Sequence, residues 1–283
     1  MEVSNLTKKR IINYMKEGRR FDNRAMLDYR DISIELGVSK NAEGSARIKI
    51  GNTDVIAGVK LETGEPYTDH PDAGTLITTV EFLPMSSDRF EPGPPRIDAI
   101  ETARIVDRGI RESGFIDFGK LCVKKGEKVW TIFLDIYSIN DAGNLIDAAC
   151  LAAVCALKDA VFPKYNEKEE VIEYGEWTTK KLPLTDSTPI TMTFHKIDDT
   201  LLLDPIREEE DASEARLSIA VSGDKEIRIN SIQKGEETAL DKKEMFKIID
   251  NAIVKFSKIK DLIEKSMSEK EKSDKRGRKP EKE

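Results

Sequence analysis

Asn140-Asp-Ala-Gly-Asn-Leu-Ile-Asp-Ala-Ala-Cys-Leu-Ala-Ala-Val-Cys-Ala-Leu157 is a glycine turn running into a segment that is apolar on nearly every side. Gly143 permits a tight turn, and Asn144 is placed to be a helix N-cap. Small and aliphatic residues then continue without a charged face until Lys158 and Asp159. A helix that is apolar all round must be buried on most of its faces. Its alanines let neighbouring backbones come close. The spacing therefore predicts a helix at the centre of a sizeable fold, stopping at Pro163.

Upstream, residues 129–139 carry apolar side chains on both faces (Trp130, Ile132, Leu134 and Ile136 against Val129, Phe133 and Tyr137), so this strand belongs in a sheet interior. Residues 121–123 pair with it through Lys125-Gly126. Residues 97–113 read as a helix, with Ile97, Ile100, Ala103, Ile105 and Ile110 at helical spacing. Before it lie a Pro-rich loop at 86–95, a β-branched strand at 75–83 and a loop at 62–74. Strands at 46–50 and 54–61 join through Gly51-Asn52, a hairpin signal. Ile32, Ile34, Leu36 and Val38 alternate with polar residues, which makes a half-buried strand. Residues 4–17 form a helix capped by Ser4 or Asn5, with Leu6, Ile11, Ile12 and Met15 on one face and Gly18 ending it.

Downstream, residues 164–188 are polar and read as a crossover between halves. Four strands follow at 190–197, 201–203, 215–221 and 226–233. Asp241 caps a last helix from 242 to about 265, with Met245, Phe246, Ile249, Ile253, Phe256, Ile259 and Leu262 as its stripe. The expected organisation is an N-terminal half at 1–163, the crossover at 164–188, a C-terminal half at 189–265 and a disordered charged tail at 266–283. Strands followed by helices recur in both halves, which indicates sheets covered by helices on one face.

Hydrophobic content of 39% against 35% charged residues describes a charged, globular chain. No apolar run is long enough to span a bilayer, and Met-Glu-Val-Ser-Asn lacks the core of a signal peptide, so an intracellular, cytoplasmic protein is expected. Cys122, Cys150 and Cys155 form no Cys-x-x-Cys and read as reduced thiols, two of them inside the apolar helix. His70 and His195 are the only histidines, which leaves little for a metal site or a Ser-His-Asp triad. The net charge of −7 does not suggest a nucleic-acid binder as a whole; any RNA contact needs a local basic patch. Arg104, Arg108 and Arg111 supply one, at i, i+4 and i+7 on one helix, suited to a phosphodiester backbone. Glu101, Asp107 and Glu112 are close enough in sequence to make it a salt-bridged face instead. Arg19, Arg20 and Arg24 form a second group, with RNA, a partner or acids of the same chain as its counterparts. Arg89 and Arg96 are open in the same way. The acidic run Glu208, Glu209, Glu210 and Asp211 reads as a solvated turn, with Mg²⁺ binding as the alternative.

Gly18-Arg-Arg-Phe-Asp-Asn-Arg24 and Ala42-Glu-Gly-Ser-Ala-Arg-Ile-Lys-Ile-Gly-Asn-Thr-Asp-Val-Ile-Ala-Gly-Val59 resemble the opening motifs of the RNase PH family. The resemblance continues through 129–157 and 203–235. Three stretches make it closest to the non-catalytic RNase PH-type subunits of the archaeal exosome: Ala103-Arg-Ile-Val-Asp-Arg108, Gly143-Asn-Leu-Ile-Asp-Ala-Ala149 and Asp204-Pro-Ile-Arg-Glu-Glu-Glu210.

This likeness implies an α+β fold, RNase PH-like (ribosomal protein S5 domain 2-like), with β-sheets packed on helices in a two-layer α/β sandwich. It implies a ring of three heterodimers with a catalytic RNase PH-type sister subunit, cap subunits with RNA-binding domains, and single-stranded RNA as ligand. No cofactor, resident metal or membrane is implied. Active members carry an arginine in the phosphate element before the buried helix, where this chain has Leu145. They carry an Asp where Arg216 falls. Leucine binds no anion, and arginine is no base. The expectation is a subunit without catalytic residues that guides RNA with Arg104, Arg108 and, more weakly matched, Arg111. Two alternatives stand beside it. One is an active phosphorolytic exoribonuclease using Asp204 or Asp211. The other is an RNA-binding assembly module without such a partner.

Overall fold

The hairpin at Gly51-Asn52 starts the larger sheet. This computed structural model describes residues 4–166, 169, 171–224 and 226–277. Strands β1 (Ile32–Leu36), β2 (Gly44–Ile50) and β3 (Thr53–Gly64) run antiparallel, with Gly51 in the turn at φ +56°. Next come β4 (Thr75–Phe82), the helix Ile97–Glu112, β5 (Cys122–Lys124) and β6 (Lys128–Asn140). The sheet order is β1-β2-β3-β6-β4; β4 is parallel to β6, and β5 pairs with β6 antiparallel. Strand β6 thus has a paired strand along each edge; its Trp130–Ile136 face is buried, whereas Phe133 and Tyr137 on the other face stay partly exposed.

The helix Asn5–Lys16 (α1) begins at Ser4, whose hydroxyl accepts the Thr7 N–H. It buries Ile11 and Met15 against Ile197, Leu202 and Ala212, whereas Leu6 is 81% exposed. Ile97–Glu112 is α2, and the organising helix is α3 (Leu145–Asp159), buried without interruption from Leu145 to Leu157.

The stretch 164–188 is more than a polar crossover. It contains most of a β-hairpin, β7 (Val161–Asn166) and β8 (Val171–Lys181). Val161, Phe162, Val171, Ile172 and Trp177 favour extended backbone despite the charged neighbours. Pro163 sits at a register shift, where no ladder N–H is needed. Phe162 and Tyr165 pack edge-on against Trp130 at 5.2 and 5.7 Å. Strands β9 (Ile190–Ile197), β10 (Thr200–Leu203), β11 (Ala215–Ser222) and β12 (Arg228–Gly235) form an antiparallel sheet in the order β10-β9-β11-β12, and the short helix α4 (Arg207–Asp211) follows β10.

The last helix, α5 (Lys242–Gly277), starts with a reciprocal cap: Glu244 N–H donates to Asp241 and Asp241 N–H donates to Glu244, both at 2.8 Å. It runs past 265, so residues 266–277 are helical and not a disordered tail. Met267 packs on the core, Lys270 pairs with Asp159, and Lys181 pairs with Glu271 at 2.6 Å. The charges that suggest a tail are the polar face of an amphipathic helix. Residues 278–283 of that expected tail lie outside the described residues. Among the described residues no helix is long and apolar enough to cross a membrane.

Helix α3 packs on β2, β3 and β6 on one side and on β9 on the other. Helix α2 covers β4, packs on α3 and reaches β12; α5 touches β1, β9 and β11. The α+β class therefore holds: α2, α3 and α5 form a helical layer shared by both halves, and α1 covers the opposite face of the four-stranded sheet, where Ile197 and Leu202 point away from Phe194 and Leu203. Gly44 is what lets α3 approach β2. A Cβ there would lie 2.4 Å from the Ala156 carbonyl oxygen and 2.5 Å from the Ala160 nitrogen.

The helix phases differ from a reading of large aliphatics alone. Helix α2 buries Ala99, Thr102, Ile105, Val106, Gly109 and Ile110, while Ile97 and Ile100 face outward. Helix α5 buries Ile248, Ala252, Phe256, Ile259 and Ile263, leaving Phe246 and Ile253 exposed. In α2 the small residues Ala99, Thr102 and Gly109 allow the closer approach and take core positions, whereas α5 is turned so that a different set of large residues faces inward.

Candidate active site and nucleic-acid interface

The turn before α3 is shaped by two left-handed residues, Gly143 (φ +89°) and Asn144 (φ +60°). A Cβ on Gly143 would meet the Pro205 carbonyl oxygen at 2.6 Å and the Arg207 nitrogen at 2.7 Å, so the loop after β10 lies directly against it. Asn144 occupies the N-cap position, but its side chain makes no capping bond. Instead its amide donates to Asp147 at 3.1 Å and to Asp204 at 2.8 Å. Its backbone N–H, one of the free donors at the helix start, donates to the Glu210 carboxylate at 3.3 Å. Leu145 points into the core at 7% exposure.

Asp204 gathers the cations around this turn. It is fully buried and in a left-handed conformation. It accepts from Arg24 Nη1 at 2.9 Å, and from the N–H, Nε and Nη2 of Arg30 at 2.8, 2.9 and 2.7 Å. Arg30 also donates to the Ala142 and Gly143 carbonyls at 2.8 and 3.0 Å. Burial alone would raise the Asp204 pKa, but the bonded Arg30 outweighs it and the value falls below the ordinary one.

Except for the exposed Glu208, the acidic run is not a solvated turn. Glu209 is buried and accepts from Arg20 Nε at 3.0 Å, with Arg20 itself 1% exposed and donating to the Leu203 and Asp204 carbonyls. Asp211 accepts from Arg89 at 2.9 Å, and Arg89 also pairs with Asp141. These residues sit on α4, which is pressed against the α3 turn, so a local sequence pattern of like charges misleads here. Burial, reinforced by nearby Asp141, pushes the Glu210 carboxyl up to about 7. Burial likewise raises Asp147 to about 6, against hydrogen bonds from Tyr29, Thr193 and Asn144. The helix start thus faces carboxylates of its own chain, which is a poor setting for a further anion.

Arg216, on β11, donates to the Glu101 carboxylate of α2 and is 15% exposed at the side chain. Of the α2 arginines, Arg104 is exposed and makes no ion pair or hydrogen bond among the described residues. Arg108 is 62% exposed and reaches Glu112 only at 3.8 Å. Arg111 is committed: it bonds Asp107 at 2.8 Å, donates to the Leu76 carbonyl of edge strand β4 at 2.6 Å, and lies over the Phe118 ring. Beside Arg104 is a hollow of about 310 Å³, floored by Val80, Ala99, Ile100 and Ala103. Arg20 and Arg24 are turned inward, and Arg19 pairs with Glu17 at the surface. Sequence reasoning missed Arg30 and the Glu210 bond, because no local pattern announces a partner in the other half.

Residues 28–163 match the model of the 3′ exoribonuclease family, domain 1 (RNase_PH), and residues 187–255 match domain 2 of that family (RNase_PH_C). The chain is similar to exosome complex component Rrp42 of Methanosarcina acetivorans, with 42% identity over 95% of this chain and 97% of the relative. It is similar to the same component of Thermococcus kodakarensis, with 40% identity over 94% of this chain and 98% of the relative. Its structure resembles a chain of the Archaeoglobus fulgidus exosome with RNA bound to the active site, at TM-score 0.83 and 37% identity, covering 91% of this chain and 98% of that one. A chain of an archaeal exosome core gives TM-score 0.79 at 34% identity, with 92% and 97% covered.

Proposed function

We propose that this chain, which belongs to the RNase PH family of 3′ exoribonucleases, is a non-catalytic subunit of an archaeal exosome that helps present RNA to a catalytic sister subunit. Phosphorolysis requires inorganic phosphate held at a helix start, with a cation beside it, and an acid near the scissile bond. The observation that carries the reading is the state of the α3 start. Glu210 takes the Asn144 N–H, and by the family resemblance Leu145 falls where active members carry an arginine and Arg216 where they carry an aspartate. The fallback acids are engaged, Asp204 by Arg24 and Arg30 and Asp211 by Arg89, which speaks against a self-sufficient enzyme. The proposed assembly is a cytoplasmic ring of three heterodimers under an RNA-binding cap.

In that assembly Arg104 and Arg108 hold the RNA backbone, and Arg111 fixes α2 to the β4 edge. The deciding experiment supplies RNA and phosphate to the purified chain and to the chain mixed with its sister subunit. Nucleoside diphosphates are expected from the mixture alone. Their release by the isolated chain at the mixture's rate would overturn the reading.

A further inference from the structure

A groove of about 860 Å³ lies between the end of α5, strand β8 and the end of α3, away from the α3 turn. Its carboxylates are answered by lysines: Asp159 by Lys270, Glu271 by Lys181 at 2.6 Å, and Glu43 by Lys60 at 2.6 Å. Two lining cations are left over. Lys40 is exposed, and Lys158 is half-buried; neither has an ion pair or hydrogen bond among the described residues. The Lys158 ammonium lies 5.7 Å from the Phe115 ring centroid, with the charges of Glu264, Lys260 and Asp186 acting on it at longer range, and burial lowers its pKa. An ammonium held this way is improved by an anion that enters the groove. The same groove presents Trp177 at 41% exposure, an unusual place for a large indole.

We propose that this groove is a nucleotide site, with the base against Trp177 and the phosphate between Lys40 and Lys158. Aromatic surface beside cations is how proteins take nucleotides without reading their sequence, and the volume suits one nucleotide. The nucleotide is either free or the terminal residue of an RNA. The proposal does not depend on the exosome assignment or on the α2 arginines.

Indole fluorescence tests it on the full chain. The other tryptophan, Trp130, is 8% exposed, so a quench by a soluble ligand reports Trp177. Titration with adenosine diphosphate and with oligoadenylate is expected to give saturable quenching, absent in Trp177→Phe. Lys40→Gln with Lys158→Gln should weaken binding roughly tenfold, the scale of a lost charge-assisted contact. Arg104→Glu with Arg108→Glu should leave the diphosphate affinity unchanged. Tight binding of oligoadenylate only would assign the site to RNA ends; equal binding of the diphosphate would assign it to free nucleotide. No saturable quench, an equal response to inorganic phosphate alone, or preferential binding of a poly-glutamate peptide would overturn the proposal.

Discussion

Asp204 takes five hydrogen bonds from Arg24, Arg30 and Asn144 without exposing an atom of consequence to water. Asp204→Asn keeps the shape but leaves Arg24 and Arg30 without their shared counter-charge. The expected loss is about 3–5 kcal/mol, measurable by denaturant unfolding. Glu210 gives a pH signature. Its folded value, about 7, lies above the ordinary 4.5. Its contribution to stability is therefore full below pH 4.5 and is lost as pH rises through about 7. Glu210→Gln should remove that component, so the gap in Tm between parent and variant should change by several degrees between pH 5 and pH 8. A constant gap would argue against a raised Glu210. Leu145 and Arg216 drew notice only through the family resemblance, which implies an arginine and an aspartate there in active members; the structure buries the first and pairs the second with Glu101. The Glu210 bond to Asn144 was not legible, since the two are 66 positions apart and belong to different halves.

Helix α2 is a lever whose inner face is tied down and whose outer face carries unspent cations. Arg111 ties it to β4, and Arg216 ties it to β11 through Glu101. Arg216 thus has a structural use, holding the helix that bears Arg104 one turn from Glu101. Arg104→Glu with Arg108→Glu should weaken RNA binding by the assembled complex and reduce the slope of log K against log salt by roughly 1.4, two single-strand phosphate contacts. Assembly should be unaffected by size-exclusion chromatography. Close approach is the other element-scale constraint. Gly44→Ala would drive a methyl into the Ala156 carbonyl and should cost about 1–3 kcal/mol of unfolding free energy. Strand positions and the Gly51-Asn52 hairpin were readable from alternation and turn residues. The phases of α2 and α5 were not, because both helices carry large aliphatics on two faces and only tertiary packing chooses between them.

At the scale of the molecule, two sheets share one helical layer, and α5 returns across both halves to reach Asp159 and Lys181. Removing residues 267–283 should lower Tm by several degrees and open the groove beside Trp177, since Met267 and the Lys270 pair leave with the segment. An unchanged melting curve would show that these last turns add little. The family resemblance made the α+β plan and the split into halves readable. It did not reveal how closely the halves interlock, because Arg20, Arg24 and Arg30 look like surface cations until the buried loop after β10 is seen beneath them. On the proposed reading, the contact between Glu210 and the Asn144 amide bears on any attempt to install phosphorolysis in this chain. Swapping Leu145→Arg and Arg216→Asp would still leave a carboxylate anchored at the amide meant for phosphate. A tethered competitor acts at an effective concentration of order millimolar or more, so the variant would stay silent until that carboxylate, too, was exchanged.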